Sequence, residues 1–190
     1  MIKRLISSAL FLVVIVAPGL ARAQTFSFTA AEFQSRLNKA LTEDNGDTIK
    51  ACKRTGTDFL CTFNDAGFQK SVAAFKELNI ANGRFSLKEK MVISTTAGRV
   101  AIITYSGDRG DPMNMFHTIG QIGGVLKALN PSIADDDVQR LLKQLGLMRG
   151  DSDETIGTPK EAIEAFAEIR CNNQRSASSM TFGCAFIPRF

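Results

Sequence analysis

Phe33, Leu37, Ala40 and Leu41 fall at three- and four-residue steps behind Thr29 and Glu32, whose spacing is that of a capping box. This predicts an amphipathic helix over 29–42, ended by Asn45-Gly46. Phe68, Val72, Phe75 and Leu78 form a second stripe behind Asp65, a candidate cap, and Asn82-Gly83 closes it. In a third, Met115, Ile119, Ile122, Leu126 and Leu129 follow Asp111-Pro112 and stop at Pro131. Ser132 with Asp135 opens a fourth helix to about Leu145, and Thr158-Pro159 with Glu161 opens a fifth to about Ile169.

Other stretches read as strands. Ile49–Arg54 and Phe59–Phe63 surround Thr55-Gly56-Thr57-Asp58, and Arg84–Thr95 and Arg99–Ser106 surround Ala97-Gly98. A third pair, 172–180 and 181–187, runs toward the C-terminus. The pattern predicts an α+β fold: an antiparallel sheet of about six strands in three hairpins, packed against about five helices. A capped helix feeding a hairpin occurs twice, at 29–63 and 158–187, as in a weak internal repeat.

Residues 1–23 stand apart. Lys3 and Arg4 precede an apolar run from Leu5 to Val16, Pro18-Gly19 breaks it, and Ala21-Arg22-Ala23 offers small residues at cleavage positions. This is the pattern of a cleaved signal peptide, followed by a single α+β domain over 24–190. The acidic, glycine-bearing stretch 149–157 is the best candidate for an internal boundary. At ~1.5 Å per residue the apolar run reaches about 18 Å, short of a bilayer core of roughly 30 Å. No integral membrane segment is expected after cleavage, and the product is assigned to a bacterial periplasm or the medium.

The signal changes the charge picture. The whole chain of 190 residues has 23 Lys and Arg against 19 Asp and Glu, and Lys3, Arg4 and Arg22 supply three of the positive charges. Without them the net charge is +1, which excludes a strongly basic nucleic-acid binder. A local excess survives near the C-terminus, where Arg170, Arg175 and Arg189 have no acidic residue among positions 170–190.

Export makes the four cysteines disulfide candidates. Cys52 with Cys61, and Cys171 with Cys184, each straddle a turn signal, so pairing within hairpins is favoured over the other two connectivities. No Cys-x-x-Cys step or ligand cluster points to redox or zinc chemistry, and no cofactor is expected.

His117 is the only histidine, so any Ser-His-Asp or Cys-His scheme passes through it. On a helical wheel it lies away from the apolar stripe, beside Gly120, Gly124 and Ala128, a face of small residues that a helix or partner could approach closely. Asp108, Asp111, Ser106 and Tyr105 could form a polar cluster nearby.

Asp151-Ser152-Asp153-Glu154-Thr155-Ile156 resembles the nucleophile motif of haloacid-dehalogenase-type phosphatases. That family sets it after a buried apolar strand, whereas Arg149-Gly150 precedes it here. Asp151, Asp153 and Glu154 are also calcium candidates, without EF-hand spacing. Arg-Gly-Asp occurs at 109–111 and 149–151, resembling an integrin-binding tripeptide.

Together these features favour an exported, disulfide-stabilised, non-catalytic protein that binds a macromolecular partner or a small apolar ligand. A small hydrolase using His117 or a carboxylate pair is the alternative, and a host-directed adhesin acting through the Arg-Gly-Asp loops is third.

Overall fold

The computed structural model describes residues 24–44, 46–77, 89–108, 112–148, 159–175 and 180–189. Among these residues four helices, α1 (Ala30–Glu43), α2 (Ala66–Glu77), α3 (Pro112–Leu129) and α4 (Asp135–Gln144), accompany seven strands. These are β1 (Ile49–Thr55), β2 (Asp58–Phe63), β3 (Glu89–Thr96), β4 (Arg99–Asp108), β5 (Lys160–Ile163), β6 (Ala167–Arg175) and β7 (Met180–Pro188). All pairings are antiparallel, in the order β1-β2-β3-β4-β7-β6-β5.

The first two expected hairpins form, and the third forms with shifted bounds, its first strand being 167–175 rather than 172–180 and Met180 opening the second. At the tips of the first two the backbone enters the left-handed region, with φ 63° at Gly56 and, at Ala97-Gly98, φ 50° and 78°. Positive φ at both central residues gives the latter turn a twist that matches that of the strands it joins. Cys52 lies opposite Cys61, and Cys171 opposite Cys184, and both pairs are disulfide-bonded with Cα atoms 4.0 and 4.1 Å apart.

Strand alternation sends Met91, Ile93, Ile103, Tyr105, Phe182 and Phe186 to one sheet face, where they are buried. Onto it pack Phe33, Leu37 and Leu41 of α1, Ile122, Val125 and Leu126 of α3, and Val138, Leu141 and Leu142 of α4, in one core. The stretch before α1 is tied to the sheet by two backbone bonds: Phe26 N donates to Val100 O, and Val100 N to Phe28 O, along the part of β4 that β7 does not reach. The rings of Phe26, Phe28 and Phe33 stack in series.

The count differs from the expected six strands and five helices. Of the helix expected over 158–169, the described residues form β5 and the start of β6 instead. There Ala162 of β5 is buried between exposed Glu161 and Ile163, and Ala167, Ile169 and Cys171 of β6 are buried at two-residue steps while Arg170 is exposed. Pairing with β7 satisfies a full ladder of backbone groups, and that tertiary gain overrides the local capping pattern. The suggested repeat of a capped helix before each stapled hairpin therefore does not hold. α4 begins at Asp135 behind Ala134, which makes no side-chain cap; Ser132 instead donates to Asn130 Oδ1. The ends expected at Asn82-Gly83 and Arg84, and the candidate boundary 149–157, lie outside the described residues.

α1 has its full capping box: Thr29 Oγ1 accepts from Glu32 N, and Thr29 N donates to Glu32 Oε2. α2 is capped from a distance, by Asp47. Among the described residues no helix is long and apolar enough to cross a membrane.

Candidate functional site

The best-built polar cluster lies where the start of α2, the first half of α3 and the start of β3 meet. Asp47, in the link between α1 and β1, receives Gly67 N on Oδ1 and Phe68 N on Oδ2, both at 2.7 Å. Two amides of the helix's first turn are thereby satisfied, and the carboxylate sits at the positive end of the helix dipole. The capping role expected of Asp65 thus belongs to Asp47. A side chain at position 67 would meet that carboxylate, since a Cβ there would stand 2.9 Å from Oδ1.

His117 is on α3, with 11% of its side chain exposed. Its Nδ1 is 3.8 Å from Asp47 Oδ2, an ion-pair distance, and its Nε2 is 3.2 Å from Glu89 Oε1. Gln121, one helical turn on, brings its amide nitrogen to 3.2 Å from the same Nε2 and donates to the Asp47 carbonyl at 2.8 Å. The ring nitrogen can donate to Glu89 or accept from Gln121, so it is occupied in either tautomer. The ring edge also packs against Phe68, with centroids 5.5 Å apart.

Glu89 extends the network into the sheet. Its Oε2 accepts from the Tyr105 hydroxyl at 2.7 Å. Burial, reinforced by the Glu89 charge and hydrogen bond, holds the Tyr105 phenol well above its ordinary pKa. Behind it the chain is tight: a Cβ at Gly107 would lie 2.3 Å from Thr118 Oγ1.

Above the cluster opens a cleft of about 380 Å³. Phe68, Met113 and Phe116 supply its apolar walls, Gly46, Gly67 and Gly120 leave its backbone bare, and Asp47, His117 and Gln121 line it with polar groups. Phe116 is 61% exposed, and a Cβ at Gly120 would meet nothing within 4 Å. Gln121 is 1% exposed, and its Oε1 is buried without a hydrogen-bond partner among the described residues. The carbonyl of Asp47 fixes the amide's orientation, because reversing it would set oxygen against oxygen.

The sequence candidates are distributed unevenly around this site. His117 and Gly120 line the cleft, whereas Gly124 faces α1, where a Cβ would come within 2.5 Å of Leu41 Cδ2. Of the polar neighbours proposed for His117, Tyr105 joins through Glu89. Asp108 is buried, and its carbonyl is 3.5 Å from Thr118 Oγ1, while Ser106 is exposed. Arg170 pairs with Glu161 of the neighbouring β5 at 3.5 Å and with Glu168 of its own strand, so its charge is matched. Arg189 is exposed, and Arg175 stands on β6 opposite Met180. Asp111, Asp151, Asp153, Glu154 and both Arg-Gly-Asp tripeptides involve positions outside the described residues. Among the described residues no group of three or more His, Cys, Asp or Glu is placed to hold a metal ion.

Sequence reasoning missed Asp47, Glu89 and Gln121. Glu89 shares the inward register of Met91 and Ile93, and Gln121 stands four residues after His117, so two of the three left a periodic trace. Asp47 lies in a link, where no period operates. Compared with known proteins, the chain matches no family model, no curated protein and no solved structure.

Proposed function

We propose that the chain is an exported, disulfide-stapled, non-catalytic binding protein that works in the cell envelope or outside the cell. Its ligand is small and largely apolar, and it occupies the cleft between α2 and α3. One observation carries this reading: His117 is held by Asp47, Glu89 and Gln121 beneath a cleft with apolar walls.

A general base needs a ring nitrogen free to take a proton from the nucleophile or water. Here Nε2 is taken up by Glu89 and Gln121, and Nδ1 looks toward Asp47 at 3.8 Å in a ring that is only 11% exposed, which favours binding over the hydrolase alternative. Phe68, Met113 and Phe116 offer the hydrophobic contact area expected of a small-molecule site, with a few polar groups to orient the ligand. The export pattern of residues 1–23 and the two disulfides agree in pointing away from the cytoplasm. A single domain over 24–190 follows from the same reading.

The test is a fluorescence titration of the oxidised 24–190 chain with N-phenyl-1-naphthylamine, an apolar dye. Saturable binding is expected, and Gly120→Leu, which fills open space in the cleft, weakens it by roughly tenfold, the loss of a well-packed apolar contact. Equal binding by the folded variant would move the ligand site elsewhere.

A further inference from the structure

We infer that the cleft selects a ligand whose apolar body ends in a protonated primary amine. The inference rests on the binding reading above and assigns the ligand's head group.

The polar end of the site carries the Asp47 carboxylate, with the Glu89 carboxylate behind it on the far side of the one imidazole. Whichever protonation state His117 holds, the formal sum of these three is negative. Among the described residues lining the cleft there is no Lys or Arg. The phenol of Tyr105 is neutral near physiological pH, since burial raises its pKa. A cation therefore gains from the local field, and a carboxylate is repelled.

Charge alone does not choose among cations; Gln121 does. Its Oε1 is an acceptor without a partner among the described residues, and leaving such a buried group unmet is costly. A primary ammonium has three donors, enough to serve Gln121 Oε1 and still reach the Asp47 carboxylate. A hydroxyl has one donor and no charge. The bare backbone at Gly67 and Gly120 allows an approach to the polar end, and Phe68 and Phe116 provide aromatic surface for the charged head and the methylenes beside it.

Isothermal titration of the oxidised chain with octylammonium, 1-octanol and octanoate near neutral pH separates head group from tail. Octylammonium is expected to bind about tenfold more tightly than 1-octanol, with octanoate weakest, as charge-assisted hydrogen bonds require. Gln121→Met and Asp47→Asn should each reduce the ratio of octylammonium to octanol affinity by about threefold or more. The first removes the acceptor at similar volume, and the second removes the charge while keeping one capping oxygen, so one variant suffices if the other does not fold. Equal affinity for all three ligands, a preference for octanoate, or a ratio unmoved in a folded variant would overturn the ammonium assignment while leaving an apolar cleft in place. Binding of none would overturn both.

Discussion

Tyr105 is the only tyrosine in the chain, fully enclosed and donating to Glu89, so its ionisation can be read without interference. Its ordinary pKa is 10.0, and in the folded protein burial raises it well above that value. Below pH 10 both folded and unfolded chains keep the proton, and Tyr105 adds no pH dependence. Above it the unfolded chain ionises while the folded chain does not, so stability falls as pH rises toward the folded pKa. Phenolate absorbance should stay flat through the normal tyrosine range and then rise together with loss of the far-ultraviolet helix signal. An absorbance rise near pH 10 in a fully folded chain would mean that the Glu89–Tyr105 contact is not formed as described. At this scale the sequence was only partly legible. It singled out His117 by number alone, but the partners that fix its chemistry arrive from distant segments through tertiary contact, and no local spacing encodes them.

Elements show where local signals suffice. The capping box at Thr29 and Glu32, the hairpin turns at Gly56 and Ala97-Gly98 and the α3 stripe all appear where the sequence put them, because each is decided within a few residues. The stretch after Thr158 is different. Its Pro and Glu have a helix-start pattern, yet β6 is bound on both sides by β5 and β7, and sheet pairing dominates. The glycines of α3 give a test of how packing modifies propensity. Gly120 has open space around its Cβ position, and Gly120→Ala should stabilise by up to about 1 kcal/mol through helix propensity. Gly124 abuts buried Leu41 and Leu37 of α1, so Gly124→Ala should destabilise by ~1–3 kcal/mol despite the same intrinsic gain. Urea denaturation of the two variants should give shifts of opposite sign; like signs would contradict the α1–α3 packing.

For the whole molecule, both disulfides join neighbouring strands within the sheet, Cys52–Cys61 near one end and Cys171–Cys184 near the other. Each closes a short loop, with sequence separations of 9 and 13 residues, and loop-closure entropy assigns roughly 2.5–3 kcal/mol to each. Reduction should lower the urea midpoint in two separable parts, resolved with Cys52→Ala/Cys61→Ala and Cys171→Ala/Cys184→Ala variants. If neither pair matters, the sheet core alone sustains the fold. The central claim is that the cleft over His117 is where ligand binds, and the single histidine gives it a direct reporter. Following the His117 Cε1–H resonance by NMR during the N-phenyl-1-naphthylamine titration should give a saturable shift whose midpoint equals that of the fluorescence change. Fluorescence saturation with an unmoved His117 resonance would contradict the account and assign the ligand to another surface.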